Sequence, residues 1–216
     1  MEVIYEDNHL LVVNKPAGVL TQPAGTVEDS LETRAKAWIK QKYQKPGNVF
    51  LGVVHRLDKP VSGIVVFAKT SKALSRLNEG IRSKENTKIY HALVEGCPKT
   101  DQGVLEHYLK HDDHCAYVCR STDLEAKLAR LRYRVLEKRN KVTLLEIVLE
   151  TGRYHQIRCQ CSAEGFPVVG DTKYGGQPTP NFSSDHIALH HAHLSLKHPI
   201  THNSLDFDSN MRFYAH

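Results

Sequence analysis

Gly52-Val53-Val54-His55-Arg56-Leu57-Asp58-Lys59-Pro60-Val61-Ser62-Gly63-Ile64-Val65-Val66-Phe67-Ala68 is the stretch on which the reading of this chain turns. A short apolar run enters, a polar bend carrying His, Arg and Asp sits in the middle, and a β-branched and aromatic run leaves. That is the pattern of strand, loop, strand. Pro60 fixes one φ angle and Gly63 permits angles denied to other residues, so the bend presents Arg56 and Asp58 from a stiff frame. Side chains offered in this way suit a site better than a mere connection. An Asp before Lys-Pro, taken alone, is most often a turn residue.

Working outward, extended runs at 3–7 and 10–13 flank a turn at Asp7-Asn8, and Asn14-Lys15-Pro16-Ala17-Gly18 breaks the pattern. Val27, Leu31, Ala35, Trp38 and Ile39 share one helical face, with Thr26 as the expected N-cap. After Ala68, Thr70 or Ser71 can cap a second helix whose apolar face is Leu74, Leu77 and Ile81. The run 87–96, containing Tyr90, reads as a strand, and 103–119 as two strands around His111-Asp112-Asp113-His114. Ala129, Leu131, Tyr133 and Val135 alternate with Arg130, Arg132 and Arg134, which predicts a half-buried strand with a basic outer row able to meet phosphates. A further strand over 142–150 delivers Thr151-Gly152-Arg153-Tyr154-His155-Gln156-Ile157-Arg158 into a short helix stopped at Gly165, and 187–197 is a last strand.

These residues together resemble the RluA-type RNA pseudouridine synthases. HRLDKPVSGIVVFAKT is similar to the family's HRLD signature with its later TSG and apolar strand, and Val61 stands where the family has Thr. NKPAGVLTQ is similar to the family's opening stretch. GRYHQIR with the later Gly170-Asp171 and Tyr174-Gly175 is similar to its GRTHQIR segment, with Tyr154 for Thr and Gln160 for a frequent His. ALHHAHLSLKHPIT is similar to its closing pattern. The likeness runs from about residue 3 to 201.

The resemblance implies one catalytic domain over 1–216, with nothing before it that could be an S4-like module. It implies an α+β fold in which a mixed, largely antiparallel sheet with flanking helices carries a central active-site cleft. It implies isomerisation of specific uridines in structured RNA, ribosomal or transfer, with Asp58 as nucleophile or base, Arg158 as its guanidinium partner and Tyr90 against the uracil. His55, Arg56, Arg153, His155 and Gln156 are expected to contact the RNA, Arg56 at the flipped nucleotide or the space it leaves. The reaction is redox-neutral, so neither cofactor nor metal is expected.

Composition agrees with this reading. Hydrophobic residues at 40% and charged at 25% are ordinary for a globular chain of 216 residues, and 29 Lys+Arg against 24 Asp+Glu leave +5, which suits a polyanionic partner. No apolar run approaches the roughly 20 residues of a membrane span. The N-terminus lacks a signal-peptide pattern, so a cytoplasmic protein, with a monomer as its expected state, is anticipated. Five cysteines point to reduced thiols rather than a disulfide framework. Two rival classes are an RNA-binding protein without catalysis, using Tyr90 or Tyr133 for stacking, and a metal-dependent hydrolase built on the 14 histidines. The first would not need Asp58, Tyr90 and Arg158 together, and the second lacks CxxC and HExxH patterns.

Overall fold

The structure, a computed structural model, describes residues 1–180, 183, 185–211 and 213. In chain order the elements are β1 (Glu2–Glu6), β2 (Leu10–Lys15), α1 (Leu31–Lys42), β3 (Gly52–Val53), β4 (Ser62–Ala68), α2 (Ser71–Arg82), β5 (Thr87–Glu95), β6 (Gln102–His111) and β7 (Ala116–Cys119). Then follow β8 (Lys127–Arg139), β9 (Val142–Leu149), α3 (Gln156–Ala163), a 3₁₀ turn at Thr172–Tyr174, β10 (Leu189–Lys197) and β11 (Ser204–Asp208). The fold is α+β. Packing groups the chain into two compact units, 1–86 with 191–210 and 87–190 with 211–216.

In the first unit the strand order is β1-β2-β4-β10-β11, with β3 also on β4. All seven residues of β4 are buried, because both faces of the strand are covered, which is why its sequence is continuously apolar rather than alternating. One face packs Leu10, Val12, Ile64, Val66 and Ala68 with Ala73 and Leu77 of α2 and Leu194, Leu196 and Phe207. Each fully buried aliphatic side chain of this kind contributes roughly 1.5–3 kcal/mol.

The capping chemistry is local. Asp7 turns the chain from β1 to β2 by accepting the N–H groups of His9 and Leu10, each at 2.7 Å. Thr70 caps α2 by accepting the Ala73 N–H at 3.2 Å, as expected. The start of α1 differs from expectation. Ser30, not Thr26, accepts the Thr33 N–H, and Val27 stays outside the helix, half exposed, while Leu31, Ala35 and Ile39 form the buried face. Ala24 and Val27 exchange two backbone hydrogen bonds in a tight bridge, which holds Thr26 in that bend and defers the helix to the next available capping hydroxyl.

In the second unit the order is β5-β9-β8-β6-β7, and the pairs β5·β9, β9·β8, β8·β6 and β6·β7 are all antiparallel. Along β8, Ala129, Leu131 and Tyr133 are buried, as their alternation predicts. The outer row is not a bare basic surface. Arg130 pairs with Glu106 and Glu150, Arg132 with Glu150, and Arg134 with Glu146, at 2.6–2.8 Å. Cross-strand register thus sets carboxylates against the guanidinium groups expected to meet phosphates.

Candidate active site

The bend between β3 and β4 is fastened on either side of Asp58. Thr21 Oγ1 donates to the Leu57 carbonyl at 2.8 Å and accepts the Leu57 N–H at 3.1 Å. On the other side the Lys59 carbonyl accepts the Gly18 N–H at 2.9 Å and a Lys15 Nζ proton at 3.1 Å. The Asp58 carbonyl closes a four-residue turn by accepting the Val61 N–H at 3.0 Å. Both chain neighbours of Asp58 are therefore held by the 15–21 stretch, and the carboxylate stands on a preorganised backbone with its side chain half-buried.

Lys15 is the unusual cation of this unit. Its side chain is fully buried at the end of β2, and its ammonium donates to the carbonyls of Pro16, Val19 and Lys59, using all three protons. Burial pushes its pKa down to about 7, and the negative charge of Asp58 opposes that shift. His55 is turned inward: its Nε2 accepts the Val66 N–H at 3.3 Å and its ring meets His191 edge-on at 5.5 Å. Arg56 is exposed, and Val61, at the Thr position of the resemblance, is buried with its backbone in the turn.

The second unit holds Tyr90 and Arg158. Tyr90 is buried in β5 opposite Ile147 of β9. Arg158 sits in the first turn of α3, buried, with Nε donating to Asp171 at 2.6 Å and Nη2 donating to the other carboxylate oxygen at 2.8 Å. Such a fork-to-fork pair fixes the guanidinium plane. The Arg158 guanidinium also lies over the Tyr174 ring, 4.9 Å from its centroid. The Tyr174 hydroxyl accepts the Ala116 N–H at 2.7 Å and lies 2.8 Å from His155 Nδ1, and burial pushes its pKa up. Donation from that hydroxyl to Nδ1 satisfies both groups at once.

The remaining residues of the GRYHQIR stretch divide by what they touch. Gln156 is buried and structural in its bonds: Oε1 accepts from Thr151 and from the Arg153 N–H, while Nε2 donates to the Arg130 carbonyl. His155 begins α3 in the left-handed region at φ 49° and stacks on Tyr154 with ring centroids 3.8 Å apart. Arg153 is exposed, its Nε donating to the Leu128 carbonyl at 2.9 Å. Gln160, at the His position of the resemblance, donates through Nε2 to the carbonyls of Leu105 and Ala129, tying α3 to β6 and β8.

A family model described as RNA pseudouridylate synthase matches residues 9–163. The chain belongs to that family. It is 34% identical over 219 residues to the ribosomal large subunit pseudouridine synthase D of Zymomonas mobilis subsp. mobilis, covering 98% of this chain and 69% of that protein. It is 33% identical over 216 residues to the dual-specificity RNA pseudouridine synthase RluA of Haemophilus influenzae, covering 99% and 94%. A solved structure, human RNA pseudouridylate synthase domain containing 4, overlays with a TM-score of 0.80 over 98% of this chain and 88% of its own at 22% identity, which shows the shared fold. The chain is thus an RNA pseudouridine synthase, an RNA-modifying isomerase.

In this pseudouridine synthase two residues outside the sequence-predicted site, Lys15 and Thr21, fasten the Asp58 bend. In the sequence Lys15 follows Asn14 after the apolar run Leu10-Leu11-Val12-Val13 and has the pattern of a strand-end lysine that reaches solvent, so its burial follows only from tertiary contact. Asp171 was visible only as part of a motif, and its role as the partner of Arg158 follows from tertiary contact. The His111-Asp112-Asp113-His114 turn is closed by the Asp112 carboxylate, which accepts the N–H groups of His114 and Cys115. Among the described residues no group of three or more His, Cys, Asp or Glu is arranged to hold a metal ion, and no helix is long and apolar enough to cross a membrane.

Proposed function

We propose that this enzyme converts uridine to pseudouridine in ribosomal RNA with the Asp58 carboxylate as the reacting group. The observation that carries the reading is the double fastening of Asp58 through Leu57 and Lys59, which fixes the backbone that presents its carboxylate. The reaction breaks the C1′–N1 bond, turns the uracil and joins C1′ to C5. A fixed carboxylate can attack C1′ or remove a sugar proton, and both routes start from the ionised form. Closing a site around the nucleotide desolvates the carboxylate and favours its neutral form, and a cation offsets that cost. Lys15, whose proton the Asp58 charge helps to hold against burial, supplies such a charge from its own segment below about pH 7. The roles of Arg158, as a second offsetting cation, and of Tyr90, against the detached base, rest on the motif resemblance.

Ribosomal RNA is favoured by the names of the large-subunit relatives. The relative named dual-specificity favours a second RNA class, so transfer RNA belongs in the same assay. The test is single-turnover pseudouridine formation by Asp58→Asn, with melting temperature and RNA affinity measured on the same preparation. Asn keeps the size and turn-forming capacity of Asp. The expected result is unchanged folding and RNA binding with a loss of rate of about 10²–10⁴-fold or more. Turnover close to that of the unaltered enzyme removes Asp58 from the chemistry.

A further inference from the structure

The second unit contains a cavity of about 290 Å³ whose lining includes Lys110, His111, Lys127, Arg153 and Tyr154, with Glu125 as its one acidic residue. The size is at the lower end of small-ligand sites, which run from roughly 300 Å³ upward. Its cations differ from the arginine row on β8. Those guanidinium groups face carboxylates at 2.6–2.8 Å, whereas Lys110 lies over the Tyr117 ring and Arg153 donates to a main-chain carbonyl. The cavity lining thus carries three cations, Lys110, Lys127 and Arg153, against the single carboxylate of Glu125, whereas the β8 arginines are each matched by a carboxylate.

The aromatic side of the cavity is built in layers. Tyr154 stacks on His155 at 3.8 Å with an interplanar angle of 18°, and His111 packs against Tyr154 at 5.1 Å. His155 in turn meets Tyr174 edge-on, and Tyr174 underlies the Arg158 guanidinium. Tyr154 thus lines the cavity from a backed position, 39% exposed, between His111 and the His155–Tyr174–Arg158 ladder. A threonine, which the resembling motif carries at this position, would offer no such ring.

We propose that this cavity is a nucleotide subsite for a residue of the RNA other than the reacting uridine, with a base stacked on Tyr154 beside His111 and its phosphate between Lys110 and Lys127. The chemistry is that of single-stranded RNA recognition: an aromatic platform takes any base face, and nearby cations take the backbone. The inference rests on RNA being the substrate, as proposed above, and adds where a neighbouring nucleotide sits.

The test measures binding apart from catalysis, by fluorescence anisotropy of a labelled single-stranded oligouridylate with the full chain at several salt concentrations. Tyr154→Phe should bind like the unaltered protein, while Tyr154→Thr should bind about tenfold more weakly, within the range for loss of one stacked base. Lys127→Ala should weaken binding and lower the magnitude of the slope of log affinity against log salt by about 0.7, one phosphate contact on a single strand, and Lys127→Arg should restore it. Lys127 is exposed, so its variants keep the test open even if Tyr154→Thr lowers the melting temperature. Binding within twofold of the unaltered protein for both Tyr154→Thr and Lys127→Ala overturns the subsite. So does weakening by Lys127→Ala alone, which reports a charged surface without a base seat. If the unaltered protein binds but forms no pseudouridine in ribosomal or transfer RNA, the catalytic reading fails and the subsite stands.

Discussion

Replacing Gly63 by alanine tests whether the bend that carries Asp58 depends on one close approach. Gly63 has φ +117°, and a Cβ there would lie 2.4 Å from the His191 carbonyl oxygen and 2.5 Å from its nitrogen. The obstacle is the backbone of β10, which no rotamer change relieves. Holding alanine in so sparsely populated a conformation costs about 1–3 kcal/mol. Forcing the strands apart to admit the methyl group costs about 1–3 kcal/mol more. A chain of this size loses about 2–4 °C of melting temperature per kcal/mol, so Gly63→Ala should melt about 5–20 °C below the unaltered protein. Gly47→Ala serves as control, because its Cβ would meet nothing within 4 Å, and it should stay within about 0.5 kcal/mol. Circular dichroism melts and urea titrations of the three proteins are the assay. A Gly63→Ala protein melting within about 2 °C of the unaltered one would refute the reasoning. Since Gly63 directly follows Ser62 at the exit of the bend, the same variant should lose pseudouridine formation before it loses RNA affinity.

The Lys15 amine has a pKa of about 7 in the fold, against about 10.4 in an unfolded chain. The unfolded state therefore holds the extra proton between those values, and the stability tied to this site rises with pH across that window and is lost as pH falls toward 7. The stability difference between the unaltered protein and Lys15→Met should shift in favour of the unaltered protein by about 1 kcal/mol per pH unit, read by urea unfolding between about pH 7.5 and 9; a flat difference contradicts it. Asp171→Asn leaves the buried Arg158 guanidinium without its carboxylate and should cost about 3–5 kcal/mol, with a loss under about 1 kcal/mol as the contrary result. Burial pushes the Cys159 and Cys161 thiols up to about 11 and about 12, while Cys97 is exposed. A thiol reagent near neutral pH should modify Cys97 first and reach Cys159 and Cys161 only on unfolding, and early labelling at Cys161 would speak against the buried placement.

Much of this protein is written in short-range pattern. The continuously apolar run of β4, the alternation along β8, the cap at Thr70 and the stop of α3 at Gly165, whose φ is +83°, each follow from neighbours within a few residues. The HRLD bend and the GRYHQIR stretch likewise announce their family without a fold in hand. What the sequence left open depends on which distant segments meet. Thr26 and Ser30 are both competent caps, and the choice fell to the Ala24–Val27 bridge. The arginines of β8 look like a phosphate track until register places Glu146, Glu150 and Glu106 beside them. β11 is not legible in the local pattern because so short a strand depends on its pairing with β10. Lys15 shows the limit most clearly: the Lys59 carbonyl that takes one of its protons is 44 residues away in the chain. A buried charge is tolerable only where partners converge on it, and that convergence is made by chain closure, which no local pattern encodes.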